Sequence, residues 1–301
     1  MLCKEICLYP ARIFLVVAIA LVFPALLRPL RAQENPYFVA YDHNLEEPGN
    51  LEVEYFSTFG TQRAGNDFHS YWTELEYGVK AWWTTEFYLD AQSTFHDSTV
   101  YSGCKWENRF RVLQHEHWIN PVLYAEFEDI NGADKTLKEV VGHDTESDYA
   151  TSNGETRREG KREIELKLIL SSNTRGWNFS ENIITEKNLS NEPWEFGYAL
   201  AASRPLALKA SAKRCALCRQ NFIVGAELYG GLGDRHSFGL HETSHYLAPV
   251  AGWNLPGGWT LRLSPGFGLN DNSHKFLLRW GISREISGFD QLVRHLFGAK
   301  S

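Results

Sequence analysis

The residues Arg162-Glu163-Ile164-Glu165-Leu166-Lys167-Leu168-Ile169-Leu170-Ser171 decide how the rest of the chain is read. Ile164, Leu166, Leu168 and Leu170 fall on one side of an extended strand, and Glu163, Glu165 and Lys167 on the other. Successive side chains of a strand point to opposite faces, so this segment has one apolar face and one charged face. A strand of a water-soluble sandwich can carry the same alternation. The question is how often it recurs, and how often carboxylates back the apolar side.

Toward the N-terminus it recurs five times. Leu123, Ala125 and Phe127 alternate with Tyr124, Glu126 and Glu128, and Phe110 and Val112 with Arg109 and Arg111. Trp83, Thr85, Phe87, Leu89 and Ala91 alternate with Glu86, Tyr88 and Asp90. Thr73, Leu75, Tyr77 and Val79 alternate with Glu74 and Glu76, and Leu51, Val53 and Tyr55 with Glu52 and Glu54. Toward the C-terminus, Trp177 and Phe179 open a less regular strand that runs to about Ile184. Trp194, Phe196, Tyr198 and Leu200 alternate with Glu195 and small residues, and Val224, Ala226 and Leu228 with Gly225, Glu227 and Tyr229. Tyr246 to Trp253 is apolar on both faces. Leu261, Leu263 and Phe267 then alternate with Arg262, Ser264 and Gly266, and Phe276, Leu278, Trp280 and Ile282 with Arg279, Gly281 and Ser283. One soluble core has no room for so many apolar faces. A closed barrel with lipid outside and a polar lumen accommodates them all. The expected fold is all-β: a transmembrane antiparallel up-and-down β-barrel of about 12 strands.

Composition agrees. The chain is 43% hydrophobic and 14% aromatic, which excludes a disordered protein. Its mean hydropathy of −0.35 argues against a helical membrane protein but not against a barrel with a polar lumen. A net charge of −7 disfavours nucleic acid as a partner. Lys4 and Arg12, an apolar run from Ile13 to Leu27, and then Arg28 and Arg31 have the layout of a signal peptide, with the cut after Ala32. The expected organisation is a signal peptide (1–32), a periplasmic N-terminal lead (33–49), the barrel (50–286) and a periplasmic C-terminal tail (287–301). In that tail Phe289, Leu292, Val293, Leu296 and Phe297 have helical spacing, so a short helix and a frayed end are both open. The polar stretch from Asn131 to Lys161 reads as one large loop. Strand parity places it outside the cell, with tight turns at Ser172 to Thr174 and Asn254 to Gly258 in the periplasm. Parity also sets Cys104 in an outer connection before the fourth strand.

Tryptophans at strand ends, among them Trp72, Trp82, Trp83, Trp177, Trp194, Trp253 and Trp259, suit the two interfacial girdles of such a barrel. With the alternation and the tight turns, they make Asn50 to Ile286 resemble the small outer-membrane β-barrel proteins of Gram-negative bacteria, porin-like and transporter-like barrels included. The resemblance implies the cell outer membrane, contact with its lipid, and a channel or transporter-like role for small polar solutes or cations. Such barrels usually close their last strand on an aromatic residue, whereas here Ile286 or Phe289 closes it and a tail follows.

The side chains expected to line the lumen are Glu52, Glu54, Glu74, Glu76, Glu86, Asp90, Arg109, Arg111, Glu126, Glu128, Glu165, Lys167, Glu227, Arg262 and Arg279. They form either a wet path for solute or a densely paired structural network. His115 and His117, and His236, His241 and His245, read as solvated loop histidines, so no metal site is assigned. His241, Thr243 and Ser244 invite comparison with barrel lipid hydrolases, but spacing and neighbours do not match, and no catalytic residue or cofactor is assigned. Cys215 and Cys218 are the disulfide candidate. Two further readings stay open beside the channel: a closed structural or surface-interaction barrel that displays the 131–161 loop, and a barrel lipid hydrolase. The sequence leaves the oligomeric state undetermined.

Overall fold

In the computed structural model, which describes residues 36–63, 65–135, 140–143, 151–190, 192–209 and 215–297, twelve antiparallel strands close into one barrel. They are β1 (Leu51–Thr61), β2 (Phe68–Lys80), β3 (Trp83–Thr94), β4 (Thr99–Arg111), β5 (Asn120–Asn131) and β6 (Gly160–Thr174). The rest are β7 (Trp177–Asn188), β8 (Trp194–Pro205), β9 (Phe222–Asp234), β10 (His245–Leu255), β11 (Trp259–Gly268) and β12 (Phe276–Ile286). Each strand pairs with its neighbour in sequence, and β1 pairs with β12 from Leu51↔Ile286 to Thr61↔Phe276. Closure leaves no open edge, so each strand's backbone groups can be satisfied by the strands beside it, as a lipid environment requires. Each expected strand is present. The expected leader, 1–32, lies outside the described residues.

The faces follow the period-2 pattern. In β6, Leu166 and Leu168 face outward at 39% and 37% exposed, while Glu165 and Lys167 are buried. β10 is apolar on both faces for a structural reason: Tyr246, Ala248 and Val250 turn inward into a cluster with Tyr37, Phe38, Val39 and Ala40. The pattern of β7 is irregular because Ile184 is buried inside, while Glu181 stands exposed on the outer face between Leu170 and Leu200.

At the mouth where β1 begins, the connections 81–82, 175–176 and 256–258 are tight. The β6–β7 turn falls at Arg175 and Gly176, just past Thr174, and both have positive φ (52° and 81°), as a tight hairpin turn needs. The connection 206–221 at this mouth is longer and contains the Cys215–Cys218 disulfide, with Cα atoms 5.4 Å apart. The longest connection, 132–159, lies at the opposite mouth and holds the one-turn helix α1 (Asn153–Thr156). It is not simply displayed: Ala133, Lys135, Val140 and Asn153 are buried, and Asn153 bonds Gln92 and Thr94 of the barrel wall. Cys104 is a member of β4 and buried, not part of a connection. Helix α2 (Phe289–Phe297) replaces the alternative of a frayed tail. Its start is held by Asp290 N donating to Gly49 O (3.0 Å) and Gly288 N to Asn50 Oδ1 (2.8 Å).

The expected periplasmic lead is the main correction. Of its described part, 36–46 runs inside the barrel and 47–49 lie at the mouth where β1 begins. Tyr37, Phe38, Val39, Ala40, Asp42 and His43 are all buried. The aromatic and apolar run Tyr37 to Tyr41 is an inserted plug, because it completes a core that the barrel wall alone leaves open.

Candidate functional site

Register turns the inward glutamates into a single feature. Glu285 of β12 lies directly across from Glu52 of β1, and Glu52 from Glu76 of β2. The row continues through Glu86, Glu107, Glu126, Glu165, Glu186 and Glu195, one on each strand from β3 to β8. Because barrel strands tilt, a line of cross-strand partners climbs as it goes round. Glu285 stands near the last residue of β12 at one mouth, and Glu195 is the second residue of β8 at the other. The inner wall therefore carries a staircase of glutamates from mouth to mouth. Like charges directly opposite one another destabilise a sheet, so the row needs compensation by positive charge or by protonation.

Part of that compensation comes from resident bases. Arg109 Nη2 lies 2.6 Å from Glu76 Oε1 and also contacts Glu86, and its Nε lies 3.2 Å from Glu107 Oε1. Lys105 lies 3.2 Å from Glu128 and 3.8 Å from Glu126. Lys167 lies 2.8 Å from Glu165 and over the rings of Tyr41 and Tyr124. Arg262 Nη1 is 3.5 Å from Glu54. Glu52 and Glu74 stand beside these groups on β1 and β2, and Asp90 is buried on β3 farther toward the opposite mouth. Arg111 Nη2 donates to the backbone oxygen of His43 in the plug (2.9 Å). Arg279 Nη1 donates to Tyr229 Oη (2.8 Å).

Glu227 holds the plug. The backbone N–H groups of Val39 and Ala40 each donate to its Oε1 at 2.8 Å, and Phe38 N–H reaches the same carboxylate at 3.1 Å. Beyond this clamp, Tyr41 N–H donates to Asn182 Oδ1 (2.6 Å) and His43 N–H to Ser171 Oγ (2.9 Å). Tyr37 Oη donates to Ser203 Oγ (2.9 Å), and Tyr41 Oη to Glu107 Oε2 (2.9 Å) on the staircase. These bonds run to side chains of the wall, not into its backbone ladder.

Sequence reading missed Glu107, Glu186 and Glu285, and it named Glu195 without placing it on the lumen side. Glu107 shares a face with Arg109 two residues on, so alternation alone held that signal. The plug's signal was its apolar run, Tyr37 to Tyr41, inside an otherwise polar segment. His115, His117, His236 and His241 are exposed, and His245 contacts Thr243 Oγ1 at 2.9 Å. Ser244 donates to Asn272 O (2.9 Å), away from His241. On the outer wall Ser57 Oγ meets His69 Nε2, but among the described residues no hydrogen bond orients the other imidazole nitrogen.

No protein-family model matches the sequence, and no curated protein matches it. Solved structures do. An outer-membrane channel from Pseudomonas putida F1 superposes with a TM-score of 0.54 at 12% identity, covering 84% of this chain and 99% of that one. The NanC porin gives 0.45 at 11% identity, covering 78% and 98%, and LpxR from Salmonella typhimurium 0.39 at 9%, covering 78% and 99%. The chain has the fold of the outer-membrane channel it superposes on, a closed antiparallel β-barrel. Its outer wall is apolar, with Trp106, Trp280 and Phe267 exposed, as the wall of a lipid-embedded barrel is, and its charged wall encloses the lumen.

Proposed function

We propose that this barrel is a channel for small polar solutes or cations, closed at rest by its own N-terminal segment. The glutamate staircase carries the reading. Carboxylates in unbroken cross-strand register from one mouth to the other give a cation successive stopping points, each weak enough to leave because the next lies one strand away. The acidic wall favours cations over anions by the same field that steers charged ligands into clefts. Currents through a variant lacking the plug residues 36–48, measured across a planar bilayer in a salt gradient, test it. The reversal potential shifts toward the cation, and Glu126→Gln with Glu165→Gln reduces that shift while heat-modifiable migration on gels shows the barrel still folded. An anion-directed potential rejects the reading.

The packed lumen favours a second reading, a closed structural or surface-interaction barrel. The plug and the described parts of the 132–159 connection lie at the two mouths, and among the described residues a cavity of about 120 Å³ separates the plug from strands β1 to β3. A folded barrel that carries no current even without residues 36–48 supports it.

A further inference from the structure

Glu181 of β7 breaks an otherwise apolar stretch of the outer wall. It is exposed, in register between Leu170 of β6 and Leu200 of β8, and among the described residues it makes no hydrogen bond or ion pair. An ionisable side chain on a face turned to hydrocarbon is costly, and it marks a place where a partner is met. The wall beside it is concave. Glu181 lines a trough of about 510 Å³, floored by Ala202 and Ala226, which pair across β8 and β9, and flanked by Phe179, Leu228 and Leu247. The register row Glu181↔Leu200↔Leu228↔Leu247 runs along it. Because the strands tilt, that row climbs round the barrel as the glutamate staircase does. It rises from the fifth residue of β7, near the mouth where β1 begins, to the third residue of β10, near the opposite mouth.

Shape and charge together name the occupant. An apolar trough that rises through the wall and carries a carboxylate near its lower end matches an amphiphile with an acyl chain and a cationic head. Arg204 stands on the same outer face, two residues along β8 from Ala202. Its guanidinium lies 5.8 Å from the ring centre of Trp177 and makes no ion pair among the described residues. It offers a phosphate the charge that Glu181 offers an ammonium. We propose that this trough binds a zwitterionic aminophospholipid, with an acyl chain along Ala202 and Ala226, the ammonium on Glu181 and the phosphodiester at Arg204. A second copy of the barrel fits less well, because two concave faces brought together enclose a void that a packed interface does not tolerate. The inference goes beyond the channel reading and rests only on the barrel's standing in a bilayer.

The test offers the folded protein in detergent equal amounts of phosphatidylethanolamine and phosphatidylglycerol with the same acyl chains, and weighs the intact complexes by native mass spectrometry. Retained phosphatidylethanolamine is expected, favoured about tenfold, as one charge-assisted contact allows. Glu181→Gln brings the two lipids to equal retention. Ala202→Phe, which fills the trough, lowers the retention of both. Heat-modifiable migration on gels checks that each variant folds. Phosphatidylcholine needs no variant: its trimethylated amine has no N–H to donate, so the parent protein retains it less than phosphatidylethanolamine. Equal retention of the three lipids by the parent, a preference unchanged in Glu181→Gln, or a dimer mass without lipid overturns the site. Lipid retention is read without current, so its failure leaves the channel reading standing. A silent bilayer beside selective lipid retention removes the channel and keeps the site.

Discussion

Lys167 shows what one inward side chain has to satisfy. Its ammonium lies 2.8 Å from Glu165 and 4.0 Å from the ring centre of Tyr124, while its neighbour Leu166 faces lipid. Leu166→Arg puts a charge on the lipid face and costs about 2–4 kcal/mol. Lys167→Leu strips the cation from a buried carboxylate and costs about 3–5 kcal/mol. Urea titrations of refolding into vesicles separate the two causes: adding Glu165→Gln restores most of the loss in the Lys167 variant and none in the Leu166 variant. His274, in the connection between β11 and β12, makes a pH prediction. It is 2% exposed and packs on the Phe68 ring. Burial pushes its imidazole down to about 3, and the positive charges of Lys135 and Arg279 push the same way. Between the ordinary pKa of 6.5 and about 3, the unfolded chain takes a proton that the folded one refuses. Stability therefore falls as pH drops through that window, by at most about 1.4 kcal/mol per unit. Unfolding midpoints at pH 7 and pH 5 should differ less in His274→Gln than in the parent protein.

At the scale of elements, the plug depends on Glu227. Three backbone N–H groups converge on one carboxylate, and hydrogen bonds to a charged acceptor contribute about 1.5–3 kcal/mol each. Glu227→Gln keeps the shape and removes the charge. Amide hydrogen exchange at Phe38, Val39 and Ala40 should then accelerate about tenfold or more, with the strand ladders unchanged; equal protection in both proteins would show that the clamp does not hold the plug. The sequence reveals some of these elements better than others. Facing within a strand has period 2, so Glu52, Glu76, Glu86, Glu126 and Glu165 could be assigned inward one strand at a time. The staircase could not, because it exists only in the register between strands, which no single strand contains. The plug was hidden differently. Residues 36–49 have no periodicity to mark them as wall, and only the cavity they fill explains why Tyr37 to Tyr41 is apolar. β10 shows the reverse case, where inward apolar residues that looked anomalous are the plug's seat.

For the whole molecule, an acidic inner wall runs from mouth to mouth of a barrel with an apolar outer face, and an inserted segment fills part of it. The plug enters and leaves at the mouth where β1 begins: Pro36 lies against Gly252, and Gly49 N–H donates to Gly78 O at 2.7 Å. Removing it leaves the strand pairings intact while uncovering Glu107, Asn182, Ser171 and Ser203 on the wall. The most direct measurement compares single-channel currents of the intact protein with those of a variant lacking residues 36–48, both in planar bilayers under a salt gradient. The intact barrel should be silent or open rarely, and the shortened one should give stable, cation-selective steps. Steady large currents from the intact protein, or a folded plug-less barrel that stays silent or selects anions, would contradict the plugged-channel reading.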